Sequence, residues 1–434
     1  MDLFEEVEEI MGQGEICDSC LGQIFANRGH GLTNRERGRA WKTVLAMENE
    51  KIVEREVDCW VCLGESYRFR EWADLAVAEV REIEFETYKI GTKMSPLLDE
   101  NAKLLRELVG ISVDSGEFLK TEMNREVGKI IGDRTGKSFQ EDSPDIVILL
   151  DVSTRSVEIQ VSPVFIYGRY KKLIRGIPQT KWPCGGCRGK GTNSEGVCER
   201  CGGSGKQYEE SVQELIDSVA IGATEGESST FHGAGREDID AKMVGTGRPF
   251  VVEIKTPKKR SVDLQILEES MNEAATGKVE VELEGIVSRK MVAHIKELPA
   301  SKTYEAGVKF EDVVEKKLLK KALEVLEGVE IEQETPTRVI HRRADKTRVR
   351  KVYSAKGELI SPTGANLEIH GEKGLYIKEL VSGDNGRTKP NLAELVGVEA
   401  VVETLDVISV VAEDGSFRVP EYMLRQKESK DMEK

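Results

Sequence analysis

The stretch FHGAGREDIDAKMVGTGRPFVVEIKTPKKR, residues 231–260, places a charged run between glycines and ahead of the strongly apolar run PFVVEI. The apolar run has the composition of a buried strand, and the glycines allow tight turns before it. A charged loop of this kind is most often a solvated turn at the rim of a sheet. The rest of the chain decides whether this loop has a more specific task.

Length and charge narrow the class of protein. A chain of 434 residues is too long for one ordinary hydrophobic core, so we expect two or three domains. The net charge of -15 disfavours nucleic acid as a partner, although local clusters of Lys and Arg can outweigh the total. No apolar run approaches the length of a membrane span, and the acidic segment MDLFEEVEEI opens the chain. These features predict a cytoplasmic protein that does not cross a membrane.

The order of helical and strand-like patterns predicts an α+β fold in three parts. Residues 1–66 form a small cysteine-containing module, in which Thr33 and Glu36 have the spacing of a helix capping box. Residues 67–178 alternate helical runs with β-rich runs such as DIVILLDV, which predicts an α/β domain. Residues 179–434 combine long strands and helices without a βαβ repeat, which predicts a mixed, largely antiparallel sheet.

The cysteines form a regular pattern, because all eight fall into CxxC pairs. In a reducing compartment such pairs indicate metal ligation rather than disulfides, and two pairs make one tetrahedral zinc site. A thioredoxin-type redox pair is the alternative for the N-terminal cysteines, and a flexible Gly-rich loop is the alternative for the insert 184–201. The predicted ligands are Cys17, Cys20, Cys59 and Cys62 for one zinc ion and Cys184, Cys187, Cys198 and Cys201 for another.

Two basic stretches interrupt the acidic background, YGRYKKLIRGIPQTKW at 167–182 and RVIHRRADKTRVRK at 338–351. Arginine guanidinium groups suit phosphates and aromatic rings suit base stacking, so both stretches predict RNA contact. The alternative is the charged face of an ordinary soluble protein. The candidate RNA-binding residues are Arg169, Lys172, Arg175, Arg342, Arg343 and Arg348.

Several motifs resemble those of pseudouridine synthases. GREDIDA resembles the catalytic-loop motif GRTDxGV of the TruA-type enzymes, with Asp238 at the position of the motif's aspartate. SKTYEAGV places Tyr304 where that family has a base-stacking tyrosine, and GLYIKELVSGDNGRTKPNLAELVG resembles its third motif. With the N-terminal CxxC module and both basic stretches, nearly the whole sequence is identified as a member of the archaeal Pus10 branch of tRNA pseudouridine synthases.

The resemblance implies a THUMP-containing accessory domain, a pseudouridine synthase domain, and uridines 54 and 55 of tRNA as the substrate. It implies that Asp238 is the catalytic carboxylate and Lys378 its ion-pair partner. Whether Asp238 attacks C1′ or removes a proton from C2′ stays open. Structural zinc is the expected cofactor, with no organic cofactor, and tRNA is the expected partner, with no obligatory protein partner. The implied pocket residues are Tyr304, Tyr376, Ile377 and Leu405.

Two other classes of protein compete with an enzyme. A non-catalytic zinc-ribbon RNA-binding protein would use the same cysteines and basic stretches and would not need Asp238. A DnaJ-like holdase, suggested by the CxxCxGxG spacing, would need an HPD tripeptide, which the sequence lacks. The sequence also departs from the synthase pattern at Glu305, where many relatives carry Arg.

Overall fold

The computed structural model describes residues 3–52, 56–112, 115–194, 196–297, 299–342, 344–412 and Leu424. The chain divides into two compact units, of which the first comprises Met1–Pro163 with Thr256–Arg260. The second comprises Val164–Lys255 with Ser261–Lys434. This division into two units does not test the three predicted domains 1–66, 67–178 and 179–434, which remain a prediction. Within the described ranges, no helix is both long and apolar enough to cross a membrane.

The first unit contains a four-stranded sheet, ordered β2-β1-β3-β4, in which β1 and β3 are parallel and β3 and β4 antiparallel. The predicted capping box is confirmed, because the Glu36 backbone N–H donates to Thr33 Oγ1 and the Thr33 N–H to the Glu36 carboxylate. Its elements are α1 (Leu3–Met11), α2 (Asp18–Ile24), α3 (Asn34–Glu48), a 3-10 helix (Glu65–Tyr67), α4 (Phe69–Glu79), β1 (Thr87–Lys93), α5 (Pro96–Leu108), α6 (Leu119–Thr135), β2 (Ser138–Phe139), β3 (Ile146–Asp151) and β4 (Ser156–Val161).

Two apolar cores hold this unit together. One packs side chains of α4 and α6, such as Trp72 and Met123, against the sheet, where Ile146, Ile148 and Leu150 of β3 alternate inward. The other surrounds the N-terminal cysteines and includes side chains of α1, α2 and α5. The run DIVILLDV is therefore a strand whose inward positions follow the period of two.

The second unit is built on one large sheet. Its elements are β5 (Val164–Lys172), β6 (Thr192–Asn193), β7 (Gly196–Val197), α7 (Val212–Thr224), β8 (Ser228–Gly233), β9 (Lys242–Lys255), α8 (Leu264–Ala274), β10 (Val279–Val287), α9 (Lys290–Glu297), β11 (Ala300–Phe310), α10 (Lys316–Leu326), β12 (Glu330–Gln333), a 3-10 helix (Thr337–Arg342), β13 (Arg348–Ser361), β14 (Gly364–Gly371), α11 (Ile377–Ser382), a 3-10 turn (Asp384–Gly386), β15 (Thr388–Lys389), α12 (Leu392–Val396) and β16 (Ala400–Ala412).

The strand order of this ten-stranded sheet is β10-β5-β9-β16-β11-β14-β13-β12-β15, with β8 added on β9. Among the described residues, the only parallel pair in the sheet is β9 with β16, whose register joins Lys242 to Asp406 and Met243 to Val407. All its other pairs there are antiparallel. The predicted α+β class with a mixed, largely antiparallel sheet is confirmed.

Candidate active site

One cavity in the second unit is lined by every residue that the motif resemblance assigned to catalysis or substrate binding. Its volume is about 250 Å³. The predicted residues in its wall are Asp238, Lys378, Tyr304, Tyr376, Ile377 and Leu405. The wall also contains five cations that sequence reasoning did not assign to the pocket, Arg236, Arg248, Lys302, Arg338 and Lys373. Side chains that are distant in the chain thus meet around Asp238.

The sheet topology explains this convergence. Strand β16 lies between β9 and β11, and its register places Leu405 opposite Ala306 and Val407 opposite Tyr304. On its other side, β16 pairs with the first residues of β9, directly after the loop 234–241. The loop that carries Asp238 therefore ends beside the strand that carries Leu405.

Gly235 gives the loop a conformation that other residues would disfavour. Its φ is +81°, in the left-handed region that glycine adopts without strain. A Cβ atom there would lie 3.2 Å from Lys302 Nζ and 3.3 Å from Arg248 Nη1. The backbone angle therefore favours glycine before the charged run, and a Cβ there would also require the ends of Lys302 and Arg248 to shift slightly.

Asp238 lies in the cavity with about a third of its side chain exposed, and two cations approach it. Arg338 Nη1 is 2.9 Å from Asp238 Oδ2, whereas Lys378 Nζ is 3.9 Å away and lies 2.6 Å from Asp240 Oδ2. The predicted pairing of Lys378 with Asp238 is thus a long contact, and Arg338 is the nearer partner. Arg338 is itself held by the buried Glu379, at 2.7 Å.

A buried polar network lies beneath the loop. Arg248 Nε donates to Glu237 Oε2 at 2.9 Å, and both side chains are almost completely buried. The Tyr170 hydroxyl also donates to the Glu237 carboxylate, at 2.9 and 3.0 Å, and Gln179 Nε2 donates to the Tyr170 oxygen and to the Gly235 carbonyl. This network fixes the residue before Asp238, so it limits the positions that the Asp238 backbone can take.

Lys172 belongs to this network, which corrects its assignment as an RNA contact. Its side chain is fully buried, and Nζ donates to the backbone carbonyls of Ile177, Asp238 and Ile239 at 3.1–3.2 Å. Such a lysine has no surface left for a phosphate. The alternation along β5 is a signal that could have shown this, because Tyr170 and Lys172 share one face and Arg169 and Lys171 share the other.

Tyr304 and Lys302 lie two residues apart on β11 and both line the cavity. Burial raises the pKa of Tyr304 to about 12, so its phenol stays neutral and can donate a hydrogen bond. Burial and then repulsion from Arg248 lower the pKa of Lys302 to about 7. Lys302 is therefore a cation that can lose its charge near neutral pH inside the pocket. Its place two residues before Tyr304 was the available sequence signal.

Helix α11 delivers the third predicted motif to the cavity. Tyr376 precedes its first residue, and the Tyr376 backbone is held on both sides by Gln333, whose side chain accepts from its N–H at 2.8 Å and donates to its carbonyl at 2.9 Å. Gln333 is fully buried. The start of α11, with Ile377 and Lys378, is therefore fixed relative to β12.

Comparison with known proteins identifies the family. A model described as "Pus10, C-terminal" matches residues 165–411, and one described as "Pus10 THUMP domain, archaeal" matches residues 72–151. The curated "tRNA pseudouridine synthase Pus10" of Halorubrum lacusprofundi is 47% identical over 97% of this chain and 99% of its own length. That of Methanothrix thermoacetophila is 46% identical over 94% of both chains. The chain belongs to the Pus10 family.

Membership of the Pus10 family makes the protein an isomerase of the pseudouridine synthase class, with an archaeal THUMP domain. Among solved structures, a chain of "Crystal Structure of a Cbf5-Nop10-Gar1 Complex" is similar at 18% identity over 46% of this chain and 45% of that chain. Its TM-score is 0.30, too low to carry an argument.

The remaining predicted RNA contacts of this Pus10-family chain have structural partners of their own. Arg169 Nη1 donates to the Thr246 and Gly247 carbonyls, and Arg348 Nη1 donates to Thr335 Oγ1. Arg175 donates to the Asp240 and Leu405 carbonyls and lies 2.6 Å from Asp406, so it ties the loop that carries Asp238 to β16. The side chain of Arg342 and the residue Arg343 lie outside the described part of the chain.

The cysteines of this Pus10-family chain gather into the two predicted groups of four. In each group the four Sγ atoms lie within 4.8 Å of one another, and no described cysteine is in a disulfide. A tetrahedron with Zn–S bonds of about 2.3 Å has S–S edges of about 3.8 Å. Cys17 and Cys62 Sγ are 3.7 Å apart, and Cys187 and Cys201 Sγ are 3.8 Å apart. Both groups therefore fit a structural zinc ion.

Proposed function

We propose that this Pus10-family chain converts uridines 54 and 55 of tRNA to pseudouridine, with Asp238 as the catalytic carboxylate. The observation that supports the proposal is the single cavity whose wall contains Asp238, Tyr304 and Leu405. A uridine inside a folded RNA cannot reach such a cavity, so the target nucleotide must leave its stack and enter the pocket.

The reaction breaks the C1′–N1 bond of uridine and makes a C1′–C5 bond. Asp238 either attacks C1′, which gives a covalent ribose intermediate, or removes the proton from C2′. In both routes the freed uracil turns and rejoins the ribose through C5. The bond to Asp238 then breaks, or the proton returns to C2′, and the C5 proton leaves to solvent while N1 takes up a proton, so the atoms balance. Arg338 and Lys378 keep positive charge beside the carboxylate throughout.

The other walls of the cavity have distinct tasks in this proposal. The ring of Tyr304 provides a stacking face for the uracil, and its neutral hydroxyl is a hydrogen-bond donor. Ile377 and Leu405 supply apolar surface that excludes water from the reacting carbons. Because the isomerisation neither oxidises nor reduces the substrate, these side chains need no organic cofactor.

Both zinc sites have a structural task in this proposal. Each group of four cysteines supplies a full set of protein ligands, which leaves no open position on a tetrahedral ion for substrate. The N-terminal site would brace α2 against the loop around Cys59 and Cys62, and the second would close the insert 184–201. We place the enzyme in the cytoplasm with tRNA as its partner, bound through cations that include Arg342 and Arg343, and we infer no obligatory protein partner.

The test is the incubation of purified protein with an unmodified tRNA transcript and no added cofactor, followed by mapping of pseudouridine. We expect product at positions 54 and 55. The Asp238→Asn variant keeps the size of the side chain but loses the charge, so we expect no detectable product and little change in tRNA affinity. The matched control is Asp240→Asn, on the same loop, which should retain measurable turnover.

Retained turnover in Asp238→Asn, or loss of turnover confined to Asp240→Asn, would show that the register of GREDIDA is wrong. Binding of tRNA without any product from the parent protein would instead favour the non-catalytic RNA-binding alternative.

A further inference from the structure

A second cavity adjoins the active site and has a different aromatic wall. Its volume is about 190 Å³. It shares Arg236, Glu237, Asp238 and Arg338 with the active-site cavity, so the loop that carries Asp238 forms part of both walls. Since one water needs only about 10–15 Å³ of such space, the second cavity has room for a planar ring. Trp182 lines this cavity and does not line the first.

The indole of Trp182 is held in place from behind. It packs edge-on against Tyr208, with ring centroids 5.7 Å apart and an interplanar angle of 80°. The Trp182 carbonyl accepts from the Gln207 N–H at 2.9 Å, and the Cys184 N–H donates to the Gly205 carbonyl at 2.8 Å. The segments that flank the second cysteine group thus hold the half-buried Trp182 ring beside the loop that carries Asp238.

The ion pairs of the loop beside the second cavity do not involve Arg236. Each carboxylate of the loop has a cation partner at 2.9 Å or less, Glu237 with Arg248, Asp238 with Arg338 and Asp240 with Lys378. Arg236 is exposed, and its guanidinium carbon lies 5.8 Å from the centroid of the Trp182 ring. No carboxylate within the described ranges forms an ion pair with it. An exposed arginine beside an aromatic ring can meet both the phosphate and the base of one nucleotide.

We propose that the second cavity binds the nucleotide next to the reacting uridine, with its base against Trp182 and its phosphate against Arg236. This inference rests on the proposed function, because it assumes that a uridine occupies the first cavity. The wall shared by the two cavities places their occupants side by side, as consecutive nucleotides of one strand would be. Flipping a uridine also removes a stacking partner from its neighbour, and Trp182 replaces that partner.

The experiment measures stacking directly. In an Asp238→Asn background, which binds without turnover, tRNA transcripts carry 2-aminopurine in place of one or the other neighbour of the target uridine. We expect strong quenching of one of the two probes on binding. The Trp182→Leu change should abolish that quenching and weaken binding by about 5- to 100-fold, the range of one base–aromatic stack. The Trp182→Phe variant keeps a ring and should retain most of both effects.

A second arm separates stacking from damage to the fold. With an abasic nucleotide at the quenched position, parent and Trp182→Leu proteins should bind with equal affinity, because there is no base to stack. The Arg236→Gln variant should weaken binding of intact and abasic RNA alike and lower the salt dependence of binding, as a phosphate contact requires. Zinc content and the melting temperature show whether Trp182→Leu remains folded.

The inference is overturned if neither probe is quenched on binding, if the Trp182→Leu change leaves the quenching unaltered, or if its loss of affinity is the same on abasic RNA. That result can occur while the parent still makes pseudouridine, which leaves the proposed function intact. Conversely, Trp182-dependent quenching in a protein whose parent makes no product would retain the nucleotide site and reject the proposed function.

Discussion

Replacement of Arg248 by Met tests the buried charge pair beneath the loop that carries Asp238. The Arg248 side chain is 1% exposed and the Glu237 side chain 0%, at an N–O distance of 2.9 Å. At an effective dielectric constant of about 20, this distance corresponds to an attraction of about 6 kcal/mol before desolvation is counted. Methionine fills much of the same volume but removes the close partner of Glu237, which keeps only the long contact to Lys172 Nζ at 4.0 Å and the Tyr170 hydroxyl. Breaking a buried pair in this way costs about 3–5 kcal/mol of stability.

The assay is differential scanning calorimetry, read at the transition of the second unit. At about 2 °C per kcal/mol for a unit of this size, the melting temperature should fall by about 6–10 °C. The double variant Arg248→Met, Glu237→Gln should recover part of the loss, because it removes the buried carboxylate charge that has lost its close partner. The matched control is Lys309→Met, which breaks the exposed pair with Glu403 in the same sheet and should cost less than about 1 kcal/mol. A melting temperature of Arg248→Met within about 2 °C of the parent, on the same scale, would refute the reasoning.

The purified protein should contain two zinc ions per chain, measured by atomic emission, and a count of one would remove one of the two cysteine groups from the proposal. Lys302 should bind RNA as a cation, so affinity should fall as the pH rises from about 6 to about 8 through its lowered pKa, and Lys302→Arg should flatten that dependence. An equal pH dependence in both proteins would exclude Lys302 as the titrating group. Arg338→Met should lower single-turnover rates by about 10- to 100-fold, the range of one charge-assisted hydrogen bond. Lys378→Met should lower them less, because Asp240 is its nearer partner, and the reverse order would show that Lys378 has the larger role. Tyr304→Leu should abolish turnover and weaken tRNA binding only modestly, and normal turnover would exclude a role of Tyr304 in the reaction.

Local patterns predicted the elements well, because hydrophobic periodicity and helix caps are properties of short segments. The strands at DIVILLDV and PFVVEI and the helix after Thr33 were found where their patterns indicated them. The parallel pairing of β9 with β16 was not predictable in this way, because the register of two strands so far apart depends on the whole sheet. The run SVEIQVSPVFIYG was placed within one part of the chain, but its two strands belong to different compact units, which divide after Pro163.

Prediction of the candidate site from local sequence patterns has the same limit. Motif resemblance assigned Asp238, Tyr304 and Leu405 to one pocket, and all three line one cavity. This was possible because each motif is a short continuous segment of the sequence. It did not find Arg338 as the closest cation to Asp238, because ion pairs between distant segments depend on side-chain geometry. It also treated Lys172 as one of several exposed cations, although the alternation of its strand places it inward beneath the loop.

Strands β9 and β16 pair through only two residue pairs, and the candidate active site lies where these two halves of the sheet meet. The loop that carries Asp238 enters from the β10-β5-β9 half, whereas Tyr304, Lys378 and Leu405 come from the half that begins with β16. Each half therefore supplies only part of the cavity wall. Assembly of this cavity therefore depends on the register between the two halves, because a shift of β9 against β16 would move Asp238 away from Tyr304 and Leu405.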